Sequence, residues 1–167
     1  HLYSKLGYDP FTSFAYVSRL VSSPQMVAAA TNFAPNSIAD LIAYAKAKPG
    51  DVTYGSIGAG SANHLNALLF EARTGVKMTH VPYKGTGPAV VDLLSGQINL
   101  MFDSLSTVIQ NEKAGKVRMI GLTANERFEG APQFPTLHEQ GVTGYDATGW
   151  FGFATRTGVP PDIINKL

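Results

Sequence analysis

Between residues 52 and 123 the sequence repeats one unit, an apolar strand, a polar loop and a helix, and this constrains the fold more than any other feature. Residues 52–57 read as a strand. A glycine-and-serine loop follows, then a helix whose buried stripe is Leu65, Leu68, Leu69 and Ala72, closed by Gly75. Residues 78–82 are the next predicted strand and 85–88 the next loop. Pro88 suits a first helical position, Val90, Val91, Leu93 and Leu94 fill the helix, and Gly96 stops it. Residues 98–102 give a third strand, after which Asp103 and Ser104 open a helix carrying Leu105, Val108 and Ile109. Lys113, Gly115 and Lys116 end that helix as its dipole prefers. Residues 117–123, apolar nearly throughout, predict a strand covered on both faces. Strand–helix alternation with short connections predicts the α/β class, with a parallel sheet and right-handed crossovers.

The flanks are less regular. Residues 14–20 and 25–30 read as extended or buried apolar segments around a break at Ser22, Ser23 and Pro24. Ser37 to Asp40 is a capping-box variant before a helix with Ile38, Leu41, Ile42 and Ala45 on one stripe. Thr136 to Glu139 is a second capping box, predicting a short helix that ends at Gly141. Residues 145–155 alternate aromatic and small side chains and predict one more strand, with Trp150 and Phe151 as core or domain-contact residues. The opening residues, 1–6, look like the tail of a helix and residues 160–167 like a helix cut short, so the chain reads as a fragment.

Composition narrows the function classes. With 167 residues, 44% hydrophobic and 15% charged, the chain has material for one ordinary folded domain. A net charge of +1 gives no global field for nucleic acid or an anionic membrane. There is no cysteine, which removes disulfides, thiolate metal sites and thiol catalysis and fits an oxidising compartment. No run of about eighteen apolar residues is present to span a membrane.

In open α/β sheets ligands sit beyond the carboxyl ends of the strands. Three predicted loops lie there: 56–61, 84–87 and 103–104. Each opens a helix, so three helix N-termini could converge on one anion. In the first loop, Gly55, Gly58 and Gly60 allow a sharp turn and close backbone approach, while Ser56 and Ser61 add hydroxyls, Ser61 as a helix cap. The alternative is a tight turn with nothing bound. Nucleotide fingerprints fail: Ser61 stands where a P-loop needs lysine, and Asn63 and Val90 stand where a dinucleotide loop needs its third glycine. His64, in the first turn of its helix, is expected as a neutral donor or acceptor. Ser61, His64 and Asp103 admit a hydrolase reading, against which Ser61 lies outside a G-x-S-x-G elbow. Asp103 could cap the next helix with Ser104, or orient a ligand amine, hydroxyl or bridging water. Lys84 could pair with an anion or stay solvated. His80 and His138 lack metal-ligand spacing and are expected to be structural or exposed; no metal and no cofactor is called for.

Taken together, YGSIGAGSANHL at 54–65, HVPYKGTGPAVVDLLSGQINLMFDS at 80–104, AGKVRMIGLT at 114–123 and FPTLHEQG at 134–141 resemble the Bug-type extracytoplasmic solute receptors. These are the periplasmic binding components of bacterial tripartite tricarboxylate transporters. The resemblance implies a periplasmic-binding-protein type II-like fold, a parallel or mixed sheet flanked by helices, as one domain of a two-domain Venus-flytrap receptor. It further implies that 1–24 belongs to domain 1 and the crossover, 25–148 to ligand-binding domain 2, and 149–167 to the return crossover strand and the start of a truncated helix. The implied function is periplasmic capture of a small carboxylate (a di- or tricarboxylate, an acidic amino acid or an aromatic acid) and delivery to membrane permease subunits, with no chemistry. By position in the family's loops, Ser56, Gly58, Gly60, Ser61, His64, Thr86, Gly87 and Asp103 are the expected ligand contacts. The full-length protein is expected to be a monomer. A serine esterase or amidase, and a sensory carboxylate-binding protein, are the alternatives.

Overall fold

The computed structural model describes residues 5–167; the helix tail expected at 1–6 lies largely outside them. Two compact units share the chain, Pro24–Thr148 and a smaller one built from His1–Ser23 with Gly149–Leu167. In the smaller unit, β1 (Phe14–Ser23) pairs antiparallel with β7 (Gly149–Arg156), with register shifts between Tyr16 and Ser18 and between Arg19 and Val21. A four-residue helix, α5 (Pro161–Ile164), follows.

The larger unit follows the predicted repeat. Its elements are β2 (Gln25–Ala30), α1 (Ile38–Ala47), β3 (Thr53–Ser56), α2 (Ala62–Thr74), β4 (Thr79–Pro82), α3 (Thr86–Ser95), β5 (Leu100–Ser104), α4 (Leu105–Lys113) and β6 (Val117–Leu122). The sheet order is β4-β3-β5-β2-β6. β3 runs parallel to β4 and β5, as the alternation predicts. The sheet is nevertheless mixed, because β2 is antiparallel to both β5 and β6. This strand precedes the repeat in sequence and inserts between two of its members. All six of its residues are buried, and its run of three alanines lets helices pack closely on both faces. Gly55 is needed for a similar reason: a Cβ there would come within 2.5 Å of Ile98 Cδ1 and 3.2 Å of Met101 Cγ.

Helix ends follow the local chemistry. Ser37 Oγ accepts the Asp40 N–H, Ser61 Oγ the His64 N–H, and left-handed Gly75 and Gly96 terminate α2 and α3. Pro88 falls third in α3 rather than first. The box at Thr136 forms, with Thr136 Oγ1 accepting the Glu139 N–H and Glu139 Oε2 accepting the Thr136 N–H, yet no helix follows. A single turn forms, the Gln140 N–H reaching Thr136 O at 3.2 Å, and the segment is held against the end of β6 by the Leu137 N–H to Leu122 O and a β-bridge between Leu122 and Thr136. Residues 145–148 likewise stay outside the final strand, with Tyr145 buried and donating to Asn66 O. Of the two placements expected for Trp150 and Phe151, core or domain contact, the core one does not hold: they are 60% and 68% exposed on the ribbon. No helix among the described residues is long and apolar enough to cross a membrane.

Candidate functional site

Since β3, β4 and β5 run in one direction, their last residues, Ser56, Pro82 and Ser104, lie on the same edge of the sheet. The loops beyond them start α2, α3 and α4. Antiparallel β2 brings its first residue, Gln25, to this edge opposite Ser104. Ser56, Gly58, Gly60, Ser61, His64, Thr86, Gly87 and Asp103 are all distributed along it.

The first loop is tied to itself. Ser56 Oγ accepts the Gly58 N–H at 3.1 Å, and Ser61 Oγ donates to Gly58 O at 2.7 Å while serving as the N-cap of α2. The Gly60 N–H donates to His64 Nδ1 at 3.0 Å, with Gly60 in the left-handed region at φ +79°. Thus the side chains of Ser56, Ser61 and His64 shape the loop, and the N–H groups of Gly58 and Gly60 are used internally.

The other two loops differ. At α3 the N-cap is Gly85, and at α4 it is Ser104; neither makes a side-chain cap. Ser104 Oγ instead meets Ser106 Oγ at 3.1 Å and Thr107 Oγ1 at 2.7 Å. The first N–H groups of a helix have no acceptor inside it, so both ends keep donors for a guest. Lys84 is exposed beside the first of them.

Asp103 is 6% exposed. Its Oδ1 accepts the Ser104 N–H at 2.8 Å, and its buried Oδ2 has no hydrogen-bond partner among the described residues. Burial raises its pKa, and the Ser104 N–H and the Asn63 amide pull it partly back. Asn63 also ties α2 to the sheet, donating to Phe102 O at 2.6 Å.

His80, expected to be structural or exposed, is structural, and it joins this cluster. Its Nε2 lies 2.6 Å from Ser56 Oγ, and its ring stacks on His64 at 4.1 Å and on Tyr54 at 5.0 Å. Burial, then the neighbouring His64, lowers the His80 pKa. Tyr54 is pushed up to about 12 by burial and then by Glu71. The missed signal was one of register. Tyr54 and Ser56 share a face of β3 and His80 is Tyr54's partner on β4, so the three side chains meet on that face. Metal spacing along the chain could not reveal this. His138 is structural, its Nδ1 accepting the Gly144 N–H at 2.9 Å.

Apart from the edge, a groove of about 610 Å³ lies on the ribbon, lined by Tyr16, Arg19, Trp150 and Phe153 among others. Its walls are mainly apolar, with Arg19 among them.

A family model described as tripartite tricarboxylate transporter family receptor matches residues 1–167, the whole chain. The chain belongs to this receptor family. A solved Rhodopseudomonas palustris protein, Rpa4515 with adipate, is 35% identical, with a TM-score of 0.90 over 99% of this chain and 55% of that one. MatC from the same organism, with bound malate, is 30% identical, with a TM-score of 0.86 over 99% of this chain and 56% of that one. Protein BugT of Bordetella pertussis is 32% identical over 166 residues, 99% of this chain and 51% of that protein. The chain therefore spans about half the length of its receptor relatives, and its mixed α/β fold is that of one domain of such two-domain proteins.

Proposed function

We propose that this chain supplies one ligand-binding domain of a periplasmic receptor that captures a small carboxylate and delivers it to the permease of a tripartite transporter. The observation that carries the reading is the pair of uncapped helix N-termini, α3 and α4, on one sheet edge beside a preshaped third loop. Family membership, and the adipate and malate held by two relatives, support an organic acid as the guest. The three loops contain no arginine, so a second carboxylate would be read by the rest of the receptor. The aromatic ribbon of β1 and β7 is the segment proposed to cross into that remaining part.

Binding without chemistry is favoured over hydrolysis. Ser61 Oγ donates to Gly58 O rather than to an imidazole, and His64 Nδ1 is occupied by the Gly60 N–H. The serine that does meet a histidine, Ser56, is fully buried, where no substrate carbonyl reaches it.

One exposed helix N-terminus favours an anion by about 0.3–1 kcal/mol, rising to ~2 kcal/mol when partly buried. Micromolar affinity needs about 8 kcal/mol. Domain closure, which excludes water and adds contacts, would supply the difference. The test is a thermal-shift screen of the complete receptor against adipate, malate, their diamides and phosphate. At a hundred times its dissociation constant an acid should add about 2.7 kcal/mol, a rise of several degrees. A rise with the diamides equal to that with the acids would refute carboxylate capture. The same protein should show no turnover of activated esters for Ser61→Ala to abolish.

A further inference from the structure

We infer that Asp103 is a specificity residue that selects an acid carrying a hydrogen-bond donor, a hydroxyl or an ammonium group, over an acid with carboxylates alone. The inference rests on the ligand-binding reading of the sheet edge given above and names the class of guest. Buried polar atoms in folded proteins nearly always have a partner. Three buried side-chain atoms among the described residues have none: Asp103 Oδ2, Gln25 Oε1 and Arg118 Nε. Both oxygens lie on the edge where α3 and α4 begin, for Gln25 stands opposite Ser104 and Met26 opposite Asp103 on the paired strands β2 and β5. Arg118 belongs to the other end of β2, opposite Ala29. The empty acceptors are therefore concentrated at the candidate site.

What fills Oδ2 must donate. Asp103 Oδ1 already accepts the Ser104 N–H at 2.8 Å, and the Asn63 amide donates to Phe102 O at 2.6 Å. An ionised carboxylate has acceptor sites only. Burial already makes the Asp103 charge costly, which a hydroxyl or an ammonium would offset and a second carboxylate would worsen. The ligand's acid group has a better seat at α3. There the N-cap is Gly85, without a side-chain cap, and exposed Lys84 stands beside it, whereas the start of α4 has the Asp103 carboxylate next to it. An anion seat and an acceptor seat on one edge fit a guest with an acid group and a donor: a hydroxy acid or an amino acid. Asp103 keeps 6% of its surface at the edge, and the last bond of an aspartate turns easily, so the empty oxygen can meet a donor arriving there. Gln25 adds a neutral acceptor on the neighbouring strand. Its backbone is fixed by bonds to Thr123, at 3.0 Å and 2.9 Å, while its side-chain oxygen stays unmet.

Succinate, malate and aspartate share one diacid skeleton and differ at a single carbon, which bears hydrogen, hydroxyl or ammonium. The test titrates each into the complete receptor by calorimetry, with both enantiomers of malate and aspartate and with malate diamide as the uncharged control. Malate or aspartate should bind at least about fivefold more tightly than succinate, which leaves the buried acceptor unmet. Whichever leads tells a hydroxyl guest from an ammonium one. In Asp103→Asn the oxygen is held by the Ser104 N–H and an NH2 group takes the place of Oδ2, so the preference should shrink to within about twofold. The wild-type ratio needs no variant to fold, and a thermal melt checks the variant. A smaller wild-type preference, as a water bridging Oδ2 to every acid would give, overturns the inference. So does Asp103→Asn with the wild-type ratio. If the acids fail but malate diamide binds wild type and not Asp103→Asn, the donor subsite stands and carboxylate capture falls. Binding by none of these compounds overturns both.

Discussion

The two units of this chain hold the same kinds of side chain in opposite surroundings. In Pro24–Thr148, Phe70, Phe102, Tyr54 and Tyr145 are all but fully buried. On the ribbon, Tyr16, Trp150 and Phe151 stand in solvent, and among the described residues β1 has only β7 beside it. An aromatic residue gains stability only where neighbours remove it from water, at about 25 cal/mol per Å². A five-stranded sheet with helices packed on it provides such neighbours; two strands alone are marginal. Hydrophobicity along a chain thus says that a side chain needs covering, without saying what covers it.

The sharpest way to break this comparison is to truncate one aromatic in each unit. Phe102→Ala removes a side chain packed near the Phe70 ring at 5.9 Å and should destabilise by about 3–5 kcal/mol in urea denaturation. Trp150→Ala in the same 167-residue chain should change the midpoint little. Comparable losses from both would mean the ribbon is covered after all.

A smaller effect is expected at Asn63. Replacing it with alanine leaves Phe102 O without the Nδ2–H that binds it, and should cost about 1–3 kcal/mol. Asn63→Ala at wild-type stability would show that the α2 contact with the sheet is dispensable.

The third test reads slopes rather than steps. His80 is more easily protonated unfolded than folded, so its contribution to stability is full above about pH 6.5 and is lost as pH falls through its lowered folded value. Asp103 acts in the opposite sense. Its folded pKa is raised, so its contribution is full below the unfolded value and is lost as pH rises through the folded one. Stability of wild type, His80→Phe and Asp103→Asn measured against pH separates the two. An unchanged slope in His80→Phe would contradict the first sign.

The smallest expected change is Phe151→Lys, within about 0.5 kcal/mol in the isolated chain. In the complete receptor the same substitution should destabilise clearly if the ribbon is buried there. Equal effects in both proteins would remove the ribbon from the domain crossing.

What the sequence determined by itself was local. The 3.6-residue stripe of α1, the Ser37 and Ser61 caps, the glycine stops at Gly75 and Gly96, and the strand–loop–helix order all follow from interactions within a few residues. That order also sufficed to put Ser56, Thr86 and Asp103 on one sheet edge, because parallel strands linked by helices must end together. Three matters needed the tertiary structure. Whether β2 would run with or against its neighbours depended on pairing with β5 and β6, some 70–95 residues away in sequence. At Thr136 a valid capping box gives a single turn and no helix, on a segment pinned to the end of β6, where Leu122 bonds Pro135 and Leu137 and bridges Thr136. And His80 entered the site through strand register, which sets it beside residues 54 and 56, while α2 lays His64 on its ring, the three lying 2.6–5.0 Å from it. In each case the deciding partner was distant in sequence, and only the folded chain brings it near.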